Sequence, residues 1–141
     1  MDPLLIPHDL YRRIMDTIGA VPPEAGGVFS LEGNTMRRFC YDAEAGHGKR
    51  FYRPTADTIT GTVNRWLRDP AQRFGGFIHS HPPGNPLLSP MDLVCAEMTM
   101  RCNDLPWLYM AVLSGGIFSL YRVTEGAPPA KWDFRILPPS D

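Results

Sequence analysis

Apolar side chains at Leu10, Tyr11, Ile14, Met15 and Ile18 recur at intervals of three and four, which predicts an amphipathic helix from about Pro7 to Gly19. Pro22-Pro23 ends that segment. Gly26 to Glu32 and Thr35 to Tyr41 then read as paired strands around a Gly33-Asn34 turn, and Lys49 to Arg53 as a further strand after a Gly-rich loop. Pro54-Thr55 opens a helix with Ile59, Val63, Trp66 and Leu67 facing inward, ending near Asp69-Pro70. Phe74 to Ser80 is a strand carrying two glycines, and Ser89 to about Asn103 is a helix. Strands follow at Trp107 to Leu113, Gly116 to Val123 and Trp132 to Leu137. The alternation predicts an α/β fold, a single domain over residues 1–141 with a mixed, mostly antiparallel sheet flanked by helices.

Composition narrows the classes of function. The 141 residues suffice for one core without disulfides or a second module. With 14 basic and 15 acidic residues, net charge is -1, and nothing electrostatic points to nucleic acid or an anionic membrane as partner. The short basic pairs Arg12-Arg13, Arg37-Arg38 and Lys49-Arg50 read as solvated faces. The most apolar run, Trp107 to Leu113, is too short to span a bilayer, and Met1-Asp2-Pro3 lacks the basic and apolar regions of a secretory signal. Cys40, Cys95 and Cys102 are odd in number and irregular in spacing, so a reducing, cytoplasmic setting is expected. Cys95 and Cys102, seven apart on a helix, read as small core residues. Prolines, 15 of 141, are about twice the usual share and sit mostly at joints between elements.

The chemistry lies in His79-Ser80-His81-Pro82, followed after a Pro- and Gly-rich loop by Ser89 and Asp92. Two imidazoles at i and i+2 of a strand project to one side, roughly 6 to 7 Å apart, within reach of one ion. Asp92 would close a three-ligand set with one position left open, the arrangement of a catalytic rather than a structural zinc. Ser89-Pro90-Met91-Asp92 is also an ordinary helix start, with Ser as cap, Pro at the first helical position and an acid at the third. The two roles are compatible, because the helix dipole keeps that acid ionised and available as a ligand. Hydrolytic use of a zinc-activated water needs a base. Glu24, in the corner between Pro22-Pro23 and Ala25-Gly26-Gly27, is the leading candidate, with Asp57, Glu44 and Glu97 as alternatives. A zinc nucleoside deaminase would need His-x-Glu and a later Pro-Cys-x-x-Cys, and a thermolysin-type protease His-Glu-x-x-His; the chain has neither.

Glu24, His79-Ser80-His81-Pro82, seven residues to Ser89 and two more to Asp92 together resemble the JAMM motif of the MPN-plus zinc metalloproteases, most closely the short prokaryotic JAB-domain proteins. The resemblance extends over nearly the whole chain and implies the JAMM/MPN fold, with cytidine-deaminase-like layering. It implies one zinc per chain held by His79, His81 and Asp92, with Glu24 holding the catalytic water and Ser89 stabilising the oxyanion. Two departures touch the path of the chain rather than the reacting groups: Leu31 where the family often has Gly, and Leu88 where it often has Pro.

What the resemblance implies for activity is hydrolysis of the amide or isopeptide bond after the C-terminal tail of a ubiquitin-like protein. Release of an amino acid or peptide from a small sulfur-carrier protein is the alternative, and a non-catalytic MPN scaffold the alternative of another class. The substrate would be the ubiquitin-like or sulfur-carrier protein, and the chain a monomer or weak homodimer. An extended tail could bind by adding a strand to a sheet edge. The loop Pro83-Gly84-Asn85-Pro86-Leu87-Leu88 would border the scissile bond as a preformed wall, its prolines limiting its freedom. Only 49 residues follow Asp92, which leaves little room for insertions that read a polyubiquitin linkage.

Overall fold

The computed structural model describes residues 2–43 and 56–140 of the chain. Its elements in chain order are β1 (Leu4–Ile6), α1 (His8–Thr17) running into a 3-10 turn (Ile18–Ala20), β2 (Gly26–Glu32), β3 (Thr35–Tyr41), α2 (Ala56–Trp66), β4 (Arg73–His81), α3 (Pro90–Asn103), β5 (Trp107–Ser114), β6 (Ile117–Thr124), β7 (Ala130–Lys131) and β8 (Phe134–Ile136). The strands form one mixed sheet in the order β7-β6-β5-β4-β2-β3-β1-β8. Antiparallel pairs join β2 to β3 and β4, and β6 to β5 and β7; β4 and β5 run parallel, as does β1 with β3 and β8.

Two apolar layers fix which face each strand residue meets. One gathers Ile14 and Ile18 of the first helical segment with Leu4, Ile6, Phe29, Leu31 and Ile78; the other gathers Ile59 of α2 and Ala96 and Met100 of α3 with Val28, Phe77 and Met110. Phe77 and Ile78 thus face opposite layers, as strand alternation requires. His79 and His81 share the parity of Phe77 and face the α2 and α3 layer. Each large apolar side chain fully buried in these layers contributes about 1.5–3 kcal/mol.

Two elements depart from the sequence reading. The strand expected over Trp132 to Leu137 is shortened to Phe134–Ile136, which lies against β1, and Ala130 and Lys131, just before the expected run, form a separate strand paired with β6 at the other end of the strand order. Only Trp132 and Asp133 lie between β7 and β8, and the three Cα steps between them reach about 11 Å at most. The two ends of the sheet therefore lie close together and the sheet is rolled, which brings the rings of Phe118 in β6 and Phe134 in β8 to 4.8 Å between centroids. The second departure is β1, which the sequence reading lacks because three residues are too few to display a period.

Smaller corrections follow from packing. Regular α-helix in α1 ends at Thr17 rather than Gly19. Leu67 is exposed one residue past α2, and Cys102 is exposed rather than in the core. The strand expected at Lys49 to Arg53, the helix start at Pro54-Thr55 and the alternative base Glu44 lie outside the described residues. Between β4 and β5 the chain is close enough that Gly76, at φ +150°, has no room for a Cβ, which would run into the Tyr109 carbonyl. That approach carries the parallel register that sets His79 beside Val112 and His81 beside Ser114.

Candidate metal centre

His79 and His81 end β4, and Asp92 sits in the first turn of α3; they are 0%, 3% and 5% exposed. Their ligand atoms all lie within 4.8 Å of one another. Oδ2 of Asp92 is 3.0 Å from Nε2 of His79 and 3.3 Å from Nε2 of His81. A tetrahedral zinc with bonds of about 2.0–2.1 Å holds its ligand atoms about 3.3 Å apart, close to the two separations from Asp92.

The helix start is a capping box. Ser89 Oγ accepts from the Asp92 N–H at 3.2 Å, while Asp92 Oδ2 accepts from the Ser89 N–H at 2.7 Å, and Pro90 occupies the first helical position. Burial would raise the Asp92 carboxyl, but the close approach of the His79 and His81 imidazoles and the Ser89 N–H outweigh it and hold the group far below the usual carboxylate range. Burial pulls the His81 imidazole down, yet the Asp92 carboxylate, the charge of Glu24 and the Asn85 carbonyl together raise it.

The two histidines are held differently. Nδ1 of His81 lies 3.1 Å from the carbonyl of Asn85, and a carbonyl only accepts, so Nδ1 carries the proton and Nε2 keeps its lone pair for a metal. Neither ring nitrogen of His79 has a hydrogen-bond partner among the described residues, because Nε2, although 3.0 Å from Asp92, is out of line for one. A fully buried imidazole without hydrogen bonds is costly in a bare protein, and an ion bound at Nε2 accounts for that nitrogen. Two imidazoles and a carboxylate are a donor set that suits zinc with a position left for water or substrate.

Glu24 joins this group through the sheet. Gly26 of β2 pairs with His79 of β4 at the end of the ladder, and Glu24 lies two residues before Gly26, in the bend that leads into β2. Glu24 is 9% exposed, and its charge acts on His81. The alternative Glu97 is exposed on α3, and Asp57 lies within α2.

Sequence reasoning overlooked the residues that hold the Pro82 to Ser89 loop. Ser114 Oγ accepts from the Asn85 N–H at 3.1 Å and donates to the Pro82 carbonyl at 2.9 Å, and the Tyr121 hydroxyl donates to the Pro86 carbonyl at 2.6 Å. These anchors supply what the prolines alone do not, and the loop stands as a wall fastened to β5 and β6. The signal for them is faint, since a Ser at a strand end and a Tyr within a strand are common. A cavity of about 450 Å³ between α2 and α3 is lined by Ile59, Val63, Phe74, Cys95 and Leu105. It opens where β4 begins, away from the histidines that end the strand, and so does not form part of the ligand cluster.

No family model matches the chain, and no curated protein matches it in sequence. Solved structures do match. A protein from Desulfitobacterium hafniense, determined in solution, aligns over 94% of this chain and 92% of its own at 15% identity, with a TM-score of 0.62. The crystal structure of a JAB1/MPN domain protein from Archaeoglobus fulgidus aligns over 97% of this chain and 100% of its own at 14% identity, with a TM-score of 0.56. The likeness is one of fold, and the chain has an α/β fold of the MPN/JAB type. On that fold His79, His81 and Asp92 make a buried group able to hold a metal ion. No helix among the described residues is long and apolar enough to cross a membrane.

Proposed function

We propose that the chain is a zinc-dependent peptidase or isopeptidase that hydrolyses the amide bond following the C-terminal tail of a ubiquitin-like protein. The observation that supports this reading is the nearly buried Glu24, whose charge acts on His81, together with the His79–His81–Asp92 ligand cluster. A metal site alone suits storage or structure, whereas a ligand cluster with an open position and an adjacent carboxylate suits hydrolysis.

When bound, zinc would acidify a water molecule and polarise the scissile carbonyl. The residues divide the remaining work. Glu24 takes a proton from the attacking water onto a carboxylate oxygen and returns it to the departing amine nitrogen. Ser89 uses its oxygen as the helix cap, which leaves its O–H proton to donate to the carbonyl oxygen as negative charge develops. His81, fixed by Asn85, and Asp92, fixed by the cap, hold the ligand geometry without reorganising.

The test is incubation of the purified chain with C-terminally extended ubiquitin-like and sulfur-carrier proteins, with and without chelator, and location of the cleaved bond by mass spectrometry. Chelator-sensitive cleavage after the tail, lost in Glu24→Gln while one zinc per chain is retained, is the expected result. Cleavage confined to the sulfur carriers would select that substrate class. A protein lacking stoichiometric zinc and cleaving none of them would instead be an MPN scaffold.

A further inference from the structure

We infer that Ser80, between the two histidines, is a positioning residue whose hydroxyl replaces a main-chain carbonyl at the end of the β2–β4 ladder and so sets where Glu24 stands. The inference rests on the reading of Glu24 as the proton carrier, and it concerns a residue to which that reading gives no task.

The β2–β4 pairing ends at Gly26 and His79, so Ala25 and Ser80 are the first pair beyond it. Ser80 N–H donates to the Ala25 carbonyl at 2.8 Å. In an antiparallel ladder a pair that makes one such bond exchanges both, so the Ala25 N–H is expected at the Ser80 carbonyl. It goes instead to Ser80 Oγ, at 3.0 Å, in a buried bond.

The exchange of one oxygen for another has a directional consequence. Side chains alternate along β4, so with His79 and His81 on the α3 face the Ser80 side chain projects to the α1 face. The Ala25 N–H is drawn toward that face. The same rigid peptide plane contains the Glu24 carbonyl, so aiming the N–H also fixes the main chain at Glu24 and the direction in which its side chain leaves. Pro22 and Pro23, just upstream, have no N–H, so the incoming chain has no main-chain donors at those two positions with which to fix itself. Ser80 thus ties the carboxylate-bearing corner to the strand that carries both imidazoles.

Proton transfer needs heavy atoms within about 2.6–3.2 Å, and a displacement of about 1 Å can cost about a hundredfold in rate. The experiment compares zinc-loaded full-length wild type with Ser80→Ala and Ser80→Thr. It measures Ala25 amide hydrogen exchange, the Glu24 carboxylate position in crystal structures, zinc per chain, and kcat and KM on a C-terminally extended ubiquitin-like protein.

In Ser80→Ala, Ala25 exchange is expected to rise at least about tenfold and the Glu24 carboxylate to shift by about 1 Å. Zinc should stay at one per chain, and kcat should fall about 10- to 100-fold with KM within about twofold. Ser80→Thr, which keeps the hydroxyl, should restore all of these. Unchanged Ala25 exchange with an unmoved Glu24 in Ser80→Ala would overturn the inference, as would full kcat in a variant whose Ala25 amide has lost protection. If wild type cleaves nothing, the peptidase reading falls, while amide exchange and carboxylate position still decide whether Ser80 positions Glu24. Should Ser80→Ala fail to fold, Ser80→Cys, similar in volume with a weaker acceptor, takes its place with the same expected directions.

Discussion

The imidazole of His81 donates through Nδ1 to the carbonyl of Asn85, 3.1 Å away, in the loop that separates the two halves of the metal cluster. Asn85 is itself held, because its N–H reaches the hydroxyl of Ser114, which also ties Pro82. Ser114 stands beside His81 in the parallel β4–β5 register, so strand, loop and imidazole close one ring of contacts. Removing that hydroxyl in Ser114→Ala frees two loop groups and loosens the partner of Nδ1. Outer partners of metal-bound histidines are typically worth about 10–100-fold in metal affinity, and a loss of about tenfold is expected, measured by competition with a chromophoric chelator. Tyr121→Phe removes a bond farther along the loop, to Pro86, and should lower stability to urea by about 1 kcal/mol while leaving zinc affinity within about twofold.

Asp92 has two duties that substitution can separate. Asp92→Asn keeps an oxygen able to accept the Ser89 N–H but discards the negative charge that faces both imidazoles. It should preserve α3, read by circular dichroism, yet fail to retain stoichiometric zinc on dialysis. His79→Ala should also lose zinc. It removes an imidazole buried without hydrogen bonds, so the metal-free variant should be no less stable than metal-free wild type after allowance for the cavity, which denaturant melts can measure.

Ser89 poses the same problem at the other end of the box. Ser89→Ala removes the cap acceptor and should cost about 0.5–2 kcal/mol, so lost activity in that variant would be ambiguous. Glycine is a serviceable cap, costing only a few tenths of a kcal/mol, and has no hydroxyl. Ser89→Gly is therefore expected to melt near wild type, bind zinc, and hydrolyse about 10²–10³-fold more slowly. Wild-type turnover in Ser89→Gly would leave Ser89 with the cap alone.

Much of this arrangement was legible in the chain because it is local. The period of two that puts His79 and His81 on one face, and the cap formed by Ser89, Pro90 and Asp92, each fit within a few residues and appear as read. The hairpin from Gly26 to Tyr41 likewise appears with the boundaries expected from its turn. Contacts set by the sheet were not legible. The tie from Ser114 to Asn85 spans 29 residues and that from Tyr121 to Pro86 spans 35, and neither residue type announces such a partner. The short strand at Ala130 and Lys131 and the late start of β8 at Phe134 follow from the roll of the sheet, which carries the chain from one end of the strand order to the other over Trp132 and Asp133. Glu24 is intermediate, since a family pattern singles it out but only the fold sets its charge close enough to act on His81.

The pH dependence of the site should change sign with metal. Without metal, the Asp92 carboxylate and the charge of Glu24 raise His81 above the ordinary histidine value of 6.5 against the opposing effect of burial. A raised value means that the imidazolium stabilises the folded metal-free chain fully below about pH 6.5, and that this contribution is lost as pH rises through the higher folded value. Zinc needs the same imidazole unprotonated at Nε2, so its binding must expel that proton and weakens about tenfold for each pH unit below the folded value. Asp92, held far below the usual range, stays ionised throughout this window and adds no opposing slope. The melting temperature of the metal-free chain is therefore expected to fall as pH is raised from 6.5 toward 8, while the increment produced by saturating zinc grows over the same interval. Differential scanning calorimetry at fixed ionic strength, with and without zinc, measures both slopes. In His81→Ala both dependences should flatten, and parallel slopes in the two metal states of wild type would show that zinc does not displace a proton from His81.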